Sequence, residues 1–174
     1  ENFVFPLKKN IIERITKNLN KFNLVDNFLN QNMISNVTTA PLDSLTIPLV
    51  VIIMGSASDE EFSKKITSKL DENQIKYEKH AASAHKEPKK VLEILDKYKN
   101  NKVVYVTIAG RSNALSGFVA ANSQSVVIAC PPFADKIDML VNIHSTLQMP
   151  SNVPVLTVLD PGNCALAIKR ILEL

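Results

Sequence analysis

Strand-like and helical hydrophobic patterns alternate along the chain from residue 48 onward. Five segments predict strands, over 49–54, 76–81, 103–109, 125–129 and 154–158. Each is followed by a pattern with helical spacing, and these predict helices over 59–72, 87–99, 113–122, 136–146 and 162–173. The alternation predicts an α/β fold, a doubly wound (flavodoxin- or Rossmann-like) parallel sheet of about five strands in three layers.

The first 47 residues follow a different pattern. Apolar residues recur there at helical spacing in two sets: Leu7, Ile11, Ile15, Leu19 and Phe22, then Leu24, Phe28, Leu29 and Met33. Two amphipathic helices and a linker are therefore expected. We predict an N-terminal helical extension and linker over 1–47 and a separate domain over 48–174.

Composition narrows the class of protein. With 45% apolar residues among 174, the chain can form a substantial core. Its 20 basic and 17 acidic residues give a net charge of +3, which is too small and too evenly spread to favour nucleic-acid binding. No apolar stretch is long enough to span a membrane, and the start of the chain lacks a signal-peptide pattern. The two cysteines have no metal-ligand spacing, so reduced thiols in a cytoplasmic protein are expected.

Small and polar residues follow the first three predicted strands, at the sheet edge where doubly wound folds bind ligands. They are Gly55, Ser56, Ser58 and Asp59; then Ser83, Ala84, His85 and Lys86; then Ala109, Gly110, Arg111, Ser112 and Asn113. Hydroxyls and backbone N–H groups at a strand–turn–helix junction suit a phosphate. His85 is the residue there whose ordinary pKa suits proton transfer near neutral pH.

Several of these residues also have a structural interpretation. Ser58 and Glu61 have capping-box spacing, which predicts a helix start at that point. A single histidine at a helix entry is often structural, and Arg111 also suits a surface ion pair. The combination of polar turns after consecutive strands favours a ligand site. Neither G-x-G-x-x-G nor a P-loop is present, so no dinucleotide or ATP site is predicted.

Five segments follow one another along the chain: MGSASD (54–59), SAHK (83–86), AGRSNALSG (109–117), ACPP (129–132) and LQMPSNVPVLTV (147–158). In this order they resemble the PurE family of purine biosynthesis. The resemblance covers roughly residues 49–173. It implies an enzyme that carboxylates 5-aminoimidazole ribonucleotide or rearranges its N5-carbamate.

The third segment favours one class of that family. The mutase pattern is A-G-G-x-x-H-L-P-G, whereas this chain places Arg111 at the second glycine and Ala114 at the histidine. It resembles the direct carboxylase, which adds carbon dioxide to carbon 4 and gives 4-carboxy-5-aminoimidazole ribonucleotide without ATP or biotin. The alternatives are N5-carboxyaminoimidazole ribonucleotide mutase and, from another class, a non-catalytic nucleotide-binding flavodoxin-like module.

The expected roles combine the resemblance with the chemistry of the turns. His85 is the predicted acid/base, and the resemblance places Ser83 at the reacting ring and Asp59 at the ribose. Ser56, Ser112 and Arg111 are candidates for the phosphate. The remaining predicted substrate-binding residues are Gly55, Ser58, Ala84, Lys86, Ala109, Gly110, Asn113 and Leu115. Aminoimidazole ribonucleotide and carbon dioxide are the expected partners, with no cofactor and no metal, in a homo-oligomer for which an octamer is favoured over a tetramer.

Overall fold

The computed structural model describes residues 50–174, so the helices predicted within residues 1–47 lie outside the described range. Five parallel strands form one sheet: β1 (Val50–Met54), β2 (Tyr77–Ala81), β3 (Val104–Ile108), β4 (Val127–Ala129) and β5 (Leu156–Thr157). Their order across the sheet is β2-β1-β3-β4-β5. The predicted doubly wound parallel sheet is confirmed, while the domain boundary near residue 47 stays a prediction.

The two central strands carry the core. Every residue of β1 and β3 is buried, because helices cover both faces of a parallel sheet and both strands are almost wholly apolar. The last two strands are shorter than predicted. At the sheet edge, β5 pairs with β4 through only Leu156 and Thr157, and Pro154 just before them has no N–H to donate to the ladder.

Five helices follow the five strands: α1 (Glu60–Glu72), α2 (Pro88–Tyr98), α3 (Leu115–Ala121), α4 (Lys136–Leu147) and α5 (Pro161–Leu172). Each begins and ends within two residues of its predicted bounds. Helices α1 and α5 pack on one face of the sheet, and α2 and α3 pack on the other. No helix within residues 50–174 combines the length and the apolar character needed to cross a membrane.

The start of the first helix differs from the prediction. A 3-10 turn over Ala57–Asp59 precedes α1, and the capping box joins Ser56 and Asp59 rather than Ser58 and Glu61. The Ser56 Oγ accepts from the Ser58 N–H at 3.2 Å, and the Asp59 Oδ2 accepts from the Ser56 N–H at 3.0 Å. Ser56 has the extended backbone that an N-cap requires, whereas Ser58 already lies inside the turn.

Helix α4 has the opposite polarity to an ordinary amphipathic helix. Its buried side chains are polar, those of Asn142 and Thr146. Four of its six apolar side chains face outward with 48% to 75% of their surface exposed, namely Ile137, Leu140, Val141 and Leu147, while Met139 and Ile143 are half-buried. Polar contacts, described below, therefore place α4 against the rest of the domain.

Candidate active site

The site lies where the strand order reverses. From β1 the chain crosses to β2 on one side and then returns to β3 on the other, so the turns after these strands diverge and leave a crevice. A cavity of about 240 Å³ occupies it. The cavity is lined by Gly55, Ser56, Asp59, Ser83, Ala84, His85, Lys86, Ala109, Gly110, Arg111, Ser112, Ala114 and Leu115. The structure thus brings together all the predicted site residues except Ser58 and Asn113, and it adds Ala114.

Direct contact between the first and third turns forms the floor of the cavity. The Gly55 N–H donates to the Ile108 carbonyl at 2.8 Å. A Cβ at position 55 would lie 3.3 Å from the Ala109 Cβ, which is tighter than ordinary packing. The close approach of the two turns therefore favours glycine at 55 and a small residue at 109.

Asp59 is the one carboxylate on the cavity wall. It is partly buried, and its Oδ2 is held by the Ser56 N–H. Burial raises the pKa of Asp59 above its ordinary value, although the hydrogen bond from Ser56 opposes this shift. Ser58, predicted to bind substrate, lies outside the cavity wall, exposed, with its Oγ donating to the Ser56 Oγ at 2.9 Å.

The second turn presents His85. The Ser83 carbonyl accepts from the Glu87 N–H at 2.7 Å, and the Ser83 Oγ accepts from the Lys86 N–H at 3.3 Å. These bonds close the turn and leave His85 at its tip, exposed to the cavity. Within residues 50–174 no side chain hydrogen-bonds the His85 ring, and no carboxylate pairs with the Lys86 ammonium. Both groups are therefore available to a ligand.

In the third turn, Arg111 is paired with helix α4. Its Nη2 donates to the Asp138 Oδ1 at 2.6 Å. The Ala134 N–H also donates to Asp138, and this bond, followed by the bond from Arg111, holds the pKa of Asp138 below its ordinary value. Asp138 therefore carries a negative charge at neutral pH, and Lys86 is the cavity cation that has no carboxylate partner among residues 50–174.

Asn113 lies beneath the cavity rather than in its wall. It is only 5% exposed, and its Nδ2 donates to the Ser116 Oγ at 2.8 Å and to the Thr146 Oγ1 at 3.0 Å. Its Oδ1 accepts from the Ser116 N–H at 3.1 Å, and its own N–H donates to the Ser145 Oγ. Asn113 thus fastens the third turn to α3 and α4.

The two cysteines carry no site chemistry. Cys130 and Cys164 are free and fully buried in the core. A hydrogen bond with Cys164, followed by burial, raises the pKa of the Cys130 thiol far above neutrality, so it stays protonated. No group of three or more metal-ligating side chains occurs within residues 50–174.

Comparisons with known proteins identify the family. The family model "AIR carboxylase" matches residues 49–174. The chain belongs to the AIR carboxylase (PurE) family. This is an enzyme family of purine biosynthesis, as the resemblance in the turns predicted.

Relatives in the AIR carboxylase family include both of its named reactions. The chain is 53% identical over 124 residues to a phosphoribosylaminoimidazole carboxylase of Archaeoglobus fulgidus, covering 71% of this chain and 68% of the relative. It is 41% identical over 129 residues to the N5-carboxyaminoimidazole ribonucleotide mutase of Methanocaldococcus jannaschii, covering 72% and 80%. The crystal structure of Treponema denticola PurE superposes with a TM-score of 0.68 at 43% identity, over 73% of this chain and 81% of that one.

Two residues around the site were missed from the sequence. The sequence pattern marks Ala114 only as a difference between the two classes of the family, yet Ala114 lines the cavity. Asp138 carried no local signal, because its partner Arg111 lies 27 positions earlier and only the packing of α4 brings the two together.

Proposed function

We propose that this chain is a direct carboxylase that adds carbon dioxide to carbon 4 of 5-aminoimidazole ribonucleotide. The observation that carries the proposal is the single imidazole at the cavity. His85 lies in its wall, while Ala114 lines it where the mutase pattern has a second histidine. The other histidines of the chain, His80 and His144, lie on β2 and α4 outside the cavity wall.

The cavity has groups for each part of the ribonucleotide. Lys86 and Arg111 supply positive charge for the phosphate, with hydroxyls from Ser56 and Ser112 beside them. Asp59 can accept hydrogen bonds from ribose hydroxyls. The small residues Ala84, Ala109 and Gly110 leave room for a flat ring next to the backbone.

His85 suits the difficult step of the reaction. The aminoimidazole is an enamine, so the electron pair at carbon 4 can form the new bond to the carbon of carbon dioxide. Carbon 4 then carries both the carboxylate and a proton, and the ring is no longer aromatic. Transfer of that proton to the His85 imidazole restores aromaticity, and the imidazolium then releases the proton to solvent. Holding carbon dioxide beside the ring contributes mainly through proximity.

Turnover with two substrates tests the proposal. The purified protein is incubated without ATP, either with aminoimidazole ribonucleotide and bicarbonate or with the N5-carbamate. We expect consumption of the free ribonucleotide at moderate bicarbonate and poor use of the carbamate. Faster isomerisation of the carbamate would show the protein to be a mutase, the reaction named for the Methanocaldococcus jannaschii relative. Binding without turnover would favour a non-catalytic module, which membership of an enzyme family does not favour.

We also propose that the protein forms a homo-oligomer, with an octamer favoured over a tetramer, and acts in the cytoplasm. Ile137, Leu140, Val141 and Leu147 form an apolar stripe on the outer face of α4, and soluble proteins seldom leave such a stripe uncovered. A second copy of the chain is the proposed occupant. Replacing Ile137 and Leu140 together by Ser should lower the mass measured by light scattering, whereas Leu92→Ser on α2 should not. An unchanged mass in the double variant contradicts this assignment.

A further inference from the structure

The exposed arginine of the cavity has an unusually well-held partner. Arg111 has 64% of its side chain exposed, and an exposed arginine ordinarily samples many rotamers. Its partner Asp138 is only 21% exposed and lies in the first turn of α4. The ion pair therefore joins an exposed arginine side chain with many possible rotamers to a largely buried aspartate side chain.

Asp138 is fixed by two further donors. Its Oδ2 accepts from the Ala134 N–H at 3.0 Å and from the Asn142 Nδ2 at 3.3 Å. Asn142 is 3% exposed, and the same Nδ2 donates to the Pro132 carbonyl at 3.0 Å. A chain of bonds thus runs from Pro132, in the turn after β4, through Asn142 and Asp138 to Arg111.

The contact with Asp138 uses only one corner of the guanidinium. Arg111 donates to the carboxylate from Nη2 alone, and no described residue accepts from its Nε or Nη1. A guanidinium carries five N–H donors in a rigid plane, so fixing one corner directs the others. Gly110 and Ser112, the neighbours of Arg111 in the third turn, also line the cavity.

We infer that Asp138 is a positioning residue that directs the free donors of Arg111 towards the phosphate of the bound ribonucleotide; this inference rests on the proposed function. Asp138 does not touch the substrate. It limits the rotamers of Arg111 before the ligand arrives, which lowers the entropy lost on binding. If Asp138 instead masked the positive charge of Arg111, removing its carboxylate would strengthen binding of the ribonucleotide.

The test compares Asp138→Ala and Asp138→Asn with the unmodified protein. Asp138→Ala should raise the KM for aminoimidazole ribonucleotide and its calorimetric Kd by about five- to tenfold, with kcat within about twofold. Asp138→Asn should have a smaller effect, since an amide oxygen can still accept from the Ala134 N–H. Charge masking would instead lower KM and Kd in Asp138→Ala and overturn the inference.

A double variant separates positioning from a general effect on the fold. In an Arg111→Gln background, Asp138→Ala should cause no further rise in KM, because the residue it positions is gone. Asp96→Ala is the matched control, since it removes an exposed helix carboxylate paired with Lys99 far from the cavity. Thermal unfolding of each variant shows whether it is folded.

The outcomes distinguish the two proposals. If the unmodified protein binds and carboxylates the ribonucleotide while both Asp138 variants keep its KM and Kd, the positioning role is wrong and the proposed function stands. If Asp138→Ala instead lowers kcat by a similar factor and leaves KM unchanged, the positioning role is also wrong. If the unmodified protein neither binds nor carboxylates the ribonucleotide, the proposed function fails, and the inference fails with it.

Discussion

Two of the cavities formed by residues 50–174 lie at opposite ends of the sheet, and the candidate site is the smaller of the two. At the carboxyl end, about 240 Å³ is lined by the three turns that carry His85, Lys86 and Arg111. At the amino end of β3 and β4, about 530 Å³ is lined mainly by lysine, asparagine and serine residues, including Lys99, Lys102 and Asn122. No histidine, cysteine or carboxylate lines the amino-end cavity.

The difference follows from the direction of the β/α units. In each unit the helix starts near the carboxyl end of its strand, so the helix N-termini, with their partial positive charge, lie at the end of the sheet that carries the small cavity. Helix C-termini, with their partial negative charge, lie at the other end, where a lysine is favourable. Lys99 is the C-cap residue of α2. The helix terminus therefore explains the positive charge at this cavity, and no ligand is needed to explain it. Chain direction therefore identifies the site better than cavity volume does.

The largest expected effect is at His85. His85→Asn should lower the rate of carboxylation by about 10²- to 10⁴-fold, because the acid/base for the carbon 4 proton is lost. Binding of the ribonucleotide should stay within about tenfold. Rates and calorimetric binding are measured together. His80→Gln, which changes a histidine outside the cavity wall, is the control; turnover retained in His85→Asn would remove His85 from the mechanism.

A second prediction compares two asparagines that flank α3. Asn113→Ala should cost about 1–3 kcal/mol of unfolding free energy, since it leaves buried partners unsatisfied. It should also weaken ribonucleotide binding by loosening the third turn. Asn122→Ala removes only one exposed bond, from its Nδ2 to the Phe118 carbonyl, and should cost under about 1 kcal/mol with no change in activity. Denaturant unfolding checks both, and equal losses would mean that the two ends of α3 are equivalent.

The third prediction concerns the contact between the first and third turns. Gly55→Ala should raise the KM for the ribonucleotide a few-fold, because the new methyl lies 3.3 Å from the Ala109 Cβ and must displace that turn. Combining it with Ala109→Gly should restore part of the lost affinity. Absence of any rescue would show that the affinity loss has another origin.

A smaller effect is expected from the charge on Asp59. Its folded-state pKa is raised by burial, so the folded protein binds a proton more tightly than the unfolded chain does. The free energy of unfolding should therefore rise as the pH falls from the raised pKa of Asp59 to its ordinary pKa. Above the raised pKa, the charged and partly buried carboxylate should lower the free energy of unfolding. Asp59→Asn should raise the melting temperature at neutral pH by on the order of 1–3 °C and flatten its pH dependence, while weakening ribonucleotide binding. Melting curves from pH 4 to 7 check the sign, and a lower melting temperature at pH 7 would contradict it.

The smallest effect is expected at the amino-end cavity. Lys102→Ala should change neither KM nor kcat for the ribonucleotide, since its side chain lies at the opposite end of the sheet from His85. Kinetics at several bicarbonate concentrations check this. A rise in KM comparable with that of an Arg111 variant would remove the distinction between the two cavities.

Much of the fold and most of the cavity wall could be predicted from local signals. A buried parallel strand is a continuous apolar run, and an amphipathic helix has a spacing of 3 to 4 residues, so all five β/α units were found. The turns that follow carry the cavity residues, because the carboxyl ends of parallel strands share one sheet edge. The helix start at Ser56 was misplaced by two residues, since capping-box spacing occurs in both Ser56–Asp59 and Ser58–Glu61.

The sequence by itself determined which residues form strands, helices and turns, because these depend on side chains close together along the chain. Only the tertiary structure decided the strand order that opens a crevice between β1 and β3. It also decided that Asn113 lies beneath the cavity rather than in its wall and that Asp138 reaches Arg111. Both outcomes depend on how α4 packs. Such packing is set by contacts between residues far apart in the chain, and no local pattern around either partner encodes it.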